Sequence, residues 1–296
     1  MPELPEVEVM AQCVRKWTEG RSLQLVRAVD ARLAGGMPPG WAARRGTFLA
    51  PEDSRVSWVG RRGKTLLIRL KGLRGCWAWH FRMTGKVAKT SADEDWADRR
   101  FVRLVLGLDD GTNLLFVDRR CLGTVEWIDD WSAWEAQGTL GPEFWMVHPG
   151  DSPFHRNGGW WAQQMAGKRS CIKPALMDQK RVSGLGNIAA SEICWRARIN
   201  PWTPVMELCH TQWAAVALAA EAYVADTIRA EHGGEIHFVG DGGTNPFHVY
   251  DREGQACPHC AGLITRGVQA GRGTFFCENC QPLPDLGPTG SDSDKQ

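Results

Sequence analysis

The stretch Cys257-Pro258-His259-Cys260-Ala261-Gly262-Leu263-Ile264-Thr265-Arg266-Gly267-Val268-Gln269-Ala270-Gly271-Arg272-Gly273-Thr274-Phe275-Phe276-Cys277-Glu278-Asn279-Cys280 sets two Cys-x2-Cys pairs 16 residues apart. That is the spacing of a four-thiolate zinc site. A closed set of thiolates leaves no position for water, so one Zn2+ held by Cys257, Cys260, Cys277 and Cys280 is expected to be structural. A module running only from about Tyr250 to Gln281 carries too little core to fold otherwise. A redox dithiol pair is the competing reading, although a single Cys-x2-Cys would serve that chemistry. Between the knuckles, Gly271-Arg272-Gly273 places an arginine near a hairpin tip, either as a phosphate clamp or for solubility.

Upstream of this module the pattern divides the chain. A Gly-rich stretch from Gly233 to Asn245 reads as mobile, and Ile172–Val182, Asn187–Arg198 and Pro204–His232 read as helices, the last closed by Gly233-Gly234. A Gly-, Pro- and His-rich segment at 138–159 reads as a hinge. From Leu23 to about Trp131 the pattern is that of short strands: Thr47–Leu49, Val56–Val59, Thr65–Leu70, Cys76–His80, Phe101–Leu108, Asn113–Val117 and Thr124–Ile128. Val7, Met10, Cys13, Val14 and Trp17 recur at helical spacing and predict a first helix to about Thr18. The fold class is therefore α+β: a β-sandwich with an N-terminal helix over 1–137, the hinge, a helical domain over 160–249, a zinc module over 250–281 and a disordered tail over 282–296.

Charge and cysteine usage narrow the function classes. The net charge is only +1, yet ten basic residues and no acid lie between Arg55 and Lys89. A second cluster gathers Lys168, Arg169, Lys173, Lys180, Arg181, Arg196 and Arg198. Such runs serve phosphate contacts or a solvated surface. No apolar run is long enough to span a membrane, and the acidic start is unlike a signal peptide, so an intracellular, cytoplasmic protein is expected, nucleoid-associated or nuclear by source. The six cysteines outside the module are scattered and expected to be reduced. Fifteen tryptophans against two tyrosines fit a core role and carry no functional reading.

The chain begins Met1-Pro2-Glu3-Leu4-Pro5-Glu6-Val7-Glu8. Removal of Met1 would leave Pro2 as a secondary amine with a pKa of ~8, basic enough to attack an electrophilic carbon at neutral pH, with Glu3 in reach to move protons. The plainer reading is a capped helix start. Val182-Ser183-Gly184-Leu185-Gly186-Asn187 joins two helices, with Asn187 as expected N-cap beside basic residues, which suits a phosphate.

These motifs, with Gly63-Lys64-Thr65-Leu66-Leu67, His80-Phe81-Arg82-Met83-Thr84-Gly85 and Lys173-Pro174-Ala175-Leu176-Met177-Asp178-Gln179-Lys180, occur in the order seen in formamidopyrimidine-DNA glycosylases and their endonuclease VIII relatives. The chain resembles that family over positions 1–281. The resemblance implies a helix-two-turn-helix in the helical domain and a bifunctional DNA glycosylase and abasic-site lyase, acting as a monomer on damaged double-stranded DNA. It implies that Pro2 is the Schiff-base nucleophile and Glu3 the proton donor, while Lys64 assists β-elimination and Arg272 the final elimination. Asn187 and Arg272 would clamp the backbone, Met83, Arg120 and Leu122 would fill the gap left by the everted base, and Glu6 would support the nucleophile pocket. His80, Arg169 and Lys173 complete the DNA-contacting set.

The chain departs from the family pattern at several places. Leu122 stands where the purine-lesion branch has a phenylalanine wedge, Arg82 replaces a glycine, and a DNA-contacting histidine near Arg100-Phe101 is absent. The segment Gly233–Val249 is shorter than the loop that caps 8-oxoguanine. The Pro-Glu-Leu-Pro start favours oxidised purines, formamidopyrimidine and 8-oxoguanine. Oxidised pyrimidines are the alternative within the class. Outside it stand a non-catalytic damage-binding protein and, last, a redox or zinc-storage protein.

Overall fold

The computed structural model describes residues 2–145, 156–231 and 245–283. Part of the expected hinge, most of the glycine-rich stretch after Glu231 and the tail beyond Leu283 lie outside the described residues. The elements are α1 (Leu4–Thr18), β1 (Leu23–Ala28), β2 (Ala42–Arg44), β3 (Thr47–Leu49), β4 (Val56–Arg62), β5 (Thr65–Leu70), β6 (Cys76–His80), β7 (Gly85–Thr90), β8 (Val102–Leu108), β9 (Asn113–Asp118), β10 (Thr124–Ile128), α2 (Trp131–Ala136), α3 (Gly158–Met165), α4 (Ile172–Leu176), α5 (Asn187–Arg196), α6 (His210–Ala230), β11 (Ile264–Gln269) and β12 (Arg272–Cys277). They form two compact units that interleave along the chain. The first takes the described residues of Met1–His155, Asp178–Leu185 and Glu221–Pro246, and the second those of Arg156–Met177, Gly186–Ala220 and Phe247–Gln296.

The first unit is a β-sandwich. One sheet has the order β2-β3-β1-β8-β9-β7 and the other β10-β6-β5-β4, each built of antiparallel neighbours. Both sheets and α1 share one core: Val7, Met10 and Val14 of the helix pack with Leu66, Ile68, Trp77 and Trp79 of one sheet and Val26, Leu104 and Phe116 of the other. Alternation along the strands puts these residues inward, as a sheet buried on one face requires. Trp41, Trp77, Trp79 and Phe116 meet edge-on in sequence at centroid separations of 6.0, 5.8 and 5.8 Å, the arrangement ring quadrupoles favour. The tryptophan excess thus goes in part into this core.

Beyond the sandwich two expected helices and part of the expected hinge are revised. The helix expected over 172–182 ends at Leu176, because the Asp178 side chain takes the Lys180 amide at 3.0 Å in a local turn that competes with continuation. The helix expected from Pro204 breaks at Leu208 and restarts at His210, with Gln212 reaching back to the Cys209 amide at 2.9 Å. Gly158 and Gly159, read as hinge, open α3, capped by Asn157 Oδ1 accepting from the Trp160 amide at 3.0 Å. A side chain at 158 would meet the Ala214 backbone within 2.5 Å, so glycine lets α3 lie against α6. Among the described residues no helix is long and apolar enough to cross a membrane.

Candidate nucleic-acid repair site

The amino terminus is built into the first unit. Pro2 is buried, and so are Glu3, Glu6 and Glu8 at 0, 5 and 2% exposure. Acids this deep require partners. The Glu3 amide donates to Glu6 Oε2 at 2.8 Å, the reach-back arm of a capping box that starts α1. Burial, and then the neighbouring Glu3, push the Glu6 carboxyl up to about 7. The Leu4 amide donates to the Gly184 carbonyl at 3.1 Å, tying the start of α1 to the Ser183-Gly184 loop. Gly184 has φ +100°, and a Cβ there would approach Leu4 Cδ1 to 2.6 Å. Only glycine satisfies both the backbone and the close approach.

Lys64 follows Gly63 (φ +57°) in the tight turn joining β4 to β5 and is half-buried. This turn packs on the same loop: a Cβ at Gly63 would lie 3.6 Å from Ser183 Cβ. A buried ion network fixes it. Glu143 Oε2 accepts from Arg61 Nη1 at 2.8 Å, while Oε1 accepts from Arg62 Nη1 at 3.2 Å, from Ser183 Oγ at 3.1 Å and from the Gly63 amide. Arg61 also reaches Glu8 Oε2 at 3.4 Å, and Arg62 reaches Ser183 Oγ at 2.8 Å. The Arg61 and Arg62 side chains are 3 and 12% exposed, so these two members of the Arg55–Lys89 cluster are structural ions and not phosphate ligands. Burial pulls the Arg61 guanidinium down, but Glu143 and Glu8 outweigh it and hold it charged. Pro2 and Lys64 are thereby anchored to one loop. Of the residues that do this, Glu143 was not singled out from the sequence, Glu8 was read as part of a helix start, and Arg61 and Arg62 were read as part of the basic cluster.

Two turns at the ends of the strands carry the expected gap-filling residues. Met83 and Leu122 are 41 and 44% exposed and Arg120 is exposed. His80 ends β6, and its Nδ1 accepts from the Arg82 amide at 3.2 Å. Burial, with Arg82 and Lys64 beside it, pushes this imidazole down to about 4, so it is neutral at pH 7 with Nε2 left as the donor.

In the second unit Asn187 is the first residue of α5 and Gly186 the N-cap, which corrects the expectation that Asn187 caps the helix. Its side chain is spent elsewhere: Oδ1 accepts from Lys173 Nζ at 2.7 Å and Nδ2 donates to the Gly273 carbonyl at 3.0 Å. Lys173, expected at the DNA, is 1% exposed, its ammonium also 3.3 Å from that carbonyl. It is a buried strut between α5 and the hairpin turn, because its position on α4 faces inward. Arg169 is exposed in the segment before α4. Arg272 is exposed at the tip of the β11–β12 hairpin, whose two turn residues Ala270 and Gly271 have φ +49° and +71°. The four cysteine sulfurs lie within 4.8 Å of one another, with Cys257–Cys280 at 3.8 Å and Cys260–Cys277 at 3.4 Å. Tetrahedral zinc with Zn–S of about 2.3 Å needs sulfurs roughly 3.8 Å apart, so the cluster fits it.

Comparison with known proteins matches three stretches of the chain. Residues 1–125 match the formamidopyrimidine-DNA glycosylase N-terminal domain, residues 149–238 the formamidopyrimidine-DNA glycosylase H2TH domain, and residues 254–283 the zinc finger found in FPG and IleRS. The four cysteines accordingly hold one structural zinc. The chain is 36% identical over 294 residues to formamidopyrimidine-DNA glycosylase of Chloroflexus aggregans, covering 96% of this chain and 99% of the relative. The same enzyme of Chloroflexus aurantiacus is 34% identical over 288 residues, covering 95 and 98%. Among solved structures, Lactococcus lactis Fpg bound to abasic-site DNA matches with TM-score 0.77 and 26% identity over 95% of this chain and 99% of that one. MutM bound to DNA containing carbocyclic 8-oxo-G matches with TM-score 0.76 and 26% identity over 95 and 100%. With its sandwich, its H2TH helices and its zinc finger each matched, the chain belongs to the formamidopyrimidine-DNA glycosylase family, DNA glycosylases that act on damaged DNA.

Proposed function

We propose that this chain excises oxidised purines, formamidopyrimidine and 8-oxoguanine, and then cleaves the strand, with Pro2 as the nucleophile. The observation that carries the reading is the buried Pro2-Glu3 start, tied through Leu4 to the loop on which the Lys64 turn also packs. After Met1 is removed, the Pro2 amine attacks C1′ of the everted nucleotide, and the base leaves with the C–N bonding electrons and a proton supplied through Glu3. Loss of the amine proton and cleavage of the C1′–O4′ bond, with O4′ protonated through Glu3, open the sugar to the iminium, which acidifies the C2′ hydrogen. Its loss expels the 3′ oxygen with its phosphate, and a second elimination expels the 5′ one, with Lys64 and Arg272 assisting. A secondary amine suits this sequence, because water as nucleophile would stop at an abasic site.

The duplex must release a stacked base at a cost of a few kcal/mol, which Met83, Arg120 and Leu122 offset by occupying the gap. Arg169 and Arg272, with the second Nδ2 hydrogen of Asn187 that the Gly273 carbonyl leaves over, hold the flanking phosphates, contacts that position the strand without reading sequence. Lys173 acts through Asn187 and Gly273, and Glu6 through Glu3.

Borohydride added to enzyme and oxidised-purine duplex is expected to trap a covalent complex, and Pro2→Gly to abolish it. Trapping that survives this change refutes the assignment. For Arg272→Ala, affinity is expected to fall for all sequences alike and the slope of log K against log salt to shrink by about 1. Titrations at several ionic strengths that leave affinity and slope unchanged remove Arg272 from the clamp.

A further inference from the structure

We infer that Asp118 is the positioning residue that joins the turn carrying Met83 to the turn carrying Arg120 and Leu122, so that the three side chains enter DNA as one rigid wedge. The inference rests on the proposal that these side chains fill the gap. Asp118 ends β9 with 0% exposure, and its carboxylate meets four donors from two turns. Oδ1 accepts from Thr84 Oγ1 and from the Arg120 amide at 3.1 Å, and Oδ2 accepts from the Leu122 and Gly123 amides at 2.7 and 2.8 Å. The Arg120 amide is shared with Thr84 Oγ1 at 3.1 Å, which closes the link between the turns.

The main chain of Asp118 is fixed as well. Its amide donates to the Phe101 carbonyl at 3.0 Å, and its carbonyl accepts from Arg103 Nε at 2.8 Å. Around it the backbone has little freedom. Cys121 holds φ +54° and Arg82 φ +55°, a Cβ at Gly123 would come within 2.4 Å of the Phe116 ring, and one at Gly85 within 2.5 Å of the Phe81 carbonyl. Burial raises the Asp118 carboxyl, but the hydrogen bonds from Thr84, Gly123, Arg120 and Leu122 outweigh it and keep the group ionised. A carboxylate is the one small side chain with acceptor capacity on both oxygens for all these donors. An amide in its place turns one edge into a donor, so one turn loses its anchor.

A misplaced wedge hinders opening of the stack more than the chemistry on a sugar whose base is already gone. Asp118→Asn is therefore expected to slow single-turnover excision from oxidised-purine duplex by on the order of 10- to 100-fold. Borohydride trapping on a duplex with a preformed abasic site should slow by less than about threefold. Thr84→Val, which cuts the link and leaves the 120–123 turn capped, is expected to show the same split at smaller size, and Thr84→Ser to restore the rate. Equal losses on both duplexes, or none on the oxidised one, in a variant that melts like wild type would overturn the inference. If Asp118→Asn fails to fold, Thr84→Val decides: a wild-type rate on the oxidised duplex overturns it. A wild-type chain that traps neither duplex overturns the reaction on which the inference stands.

Discussion

Glu143→Ala is expected to destabilise the sandwich unit by about 3–5 kcal/mol, the cost of breaking a buried ion pair from one side. For a unit of this size that lowers the melting temperature by roughly 6–20 °C. The carboxylate is 9% exposed and serves Arg61, Arg62, Ser183 and the Gly63 amide at once. Its removal leaves the Arg61 guanidinium, 3% exposed, with Glu8 at 3.4 Å as its one remaining carboxylate among the described residues. Arg62 keeps Glu135 at 3.0 Å, but that acid is 47% exposed and its pairing is screened. Glu143→Gln keeps the shape and an acceptor oxygen and is expected to lose less. Calorimetry on the two variants separates charge from shape. A Glu143→Ala loss below about 1 kcal/mol would mean that the guanidiniums find water, contrary to their burial. The functional consequence is local, because the turn this network fixes is the one that carries Lys64.

The same network shows where the sequence was silent. Between Arg55 and Lys89 there is no acid, so counting charges along the chain marks Arg61 and Arg62 as phosphate ligands. Their partners, Glu8 and Glu143, lie far away in sequence, and only the fold brings them in. Strands β4, β5, β6, β9 and β10 were legible because their apolar residues are flanked by turn residues. β7, Gly-Lys-Val-Ala-Lys-Thr, was not, since its alternation is weak until paired with β9. Asn187 was recognisable as a helix start, but its choice of Lys173 and Gly273 over capping depends on the hairpin arriving beside it. Asp118 left no local signal at all: its donors come from Thr84 as well as from its own turn. The motifs that carry the family resemblance were readable and the scaffolding around them was not, because periodicity and spacing report local structure while buried ion partners are chosen by tertiary packing.

Zinc removal is expected to unfold the β11–β12 hairpin outright. Its core cluster consists of Val249, Cys257, Ile264, Phe275, Cys277 and Cys280, so half of it is the metal site itself. Without thiolate–metal bonds, Val249, Ile264 and Phe275 remain, with Trp195 and Tyr250 at the edge. Each buried aliphatic or aromatic side chain contributes about 1.5–3 kcal/mol, against about 1–2 kcal/mol of backbone entropy for every residue ordered. Structural zinc supplies an apparent 10–16 kcal/mol or so in modules of this kind, and its loss reverses the balance. Chelation, or Cys260→Ser, should abolish amide-exchange protection from Ile264 to Cys277 and leave the sandwich strands protected. Trp195 gives a second reading, since its indole N–H donates to Cys257 Sγ at 3.4 Å and the ring stacks on His248 at 4.8 Å. Its emission should change with metal release. Full release of zinc with the hairpin amides still protected would show that the strands hold themselves. In the expected case Arg272 loses the turn that presents it, and DNA affinity falls at least as far as in Arg272→Ala.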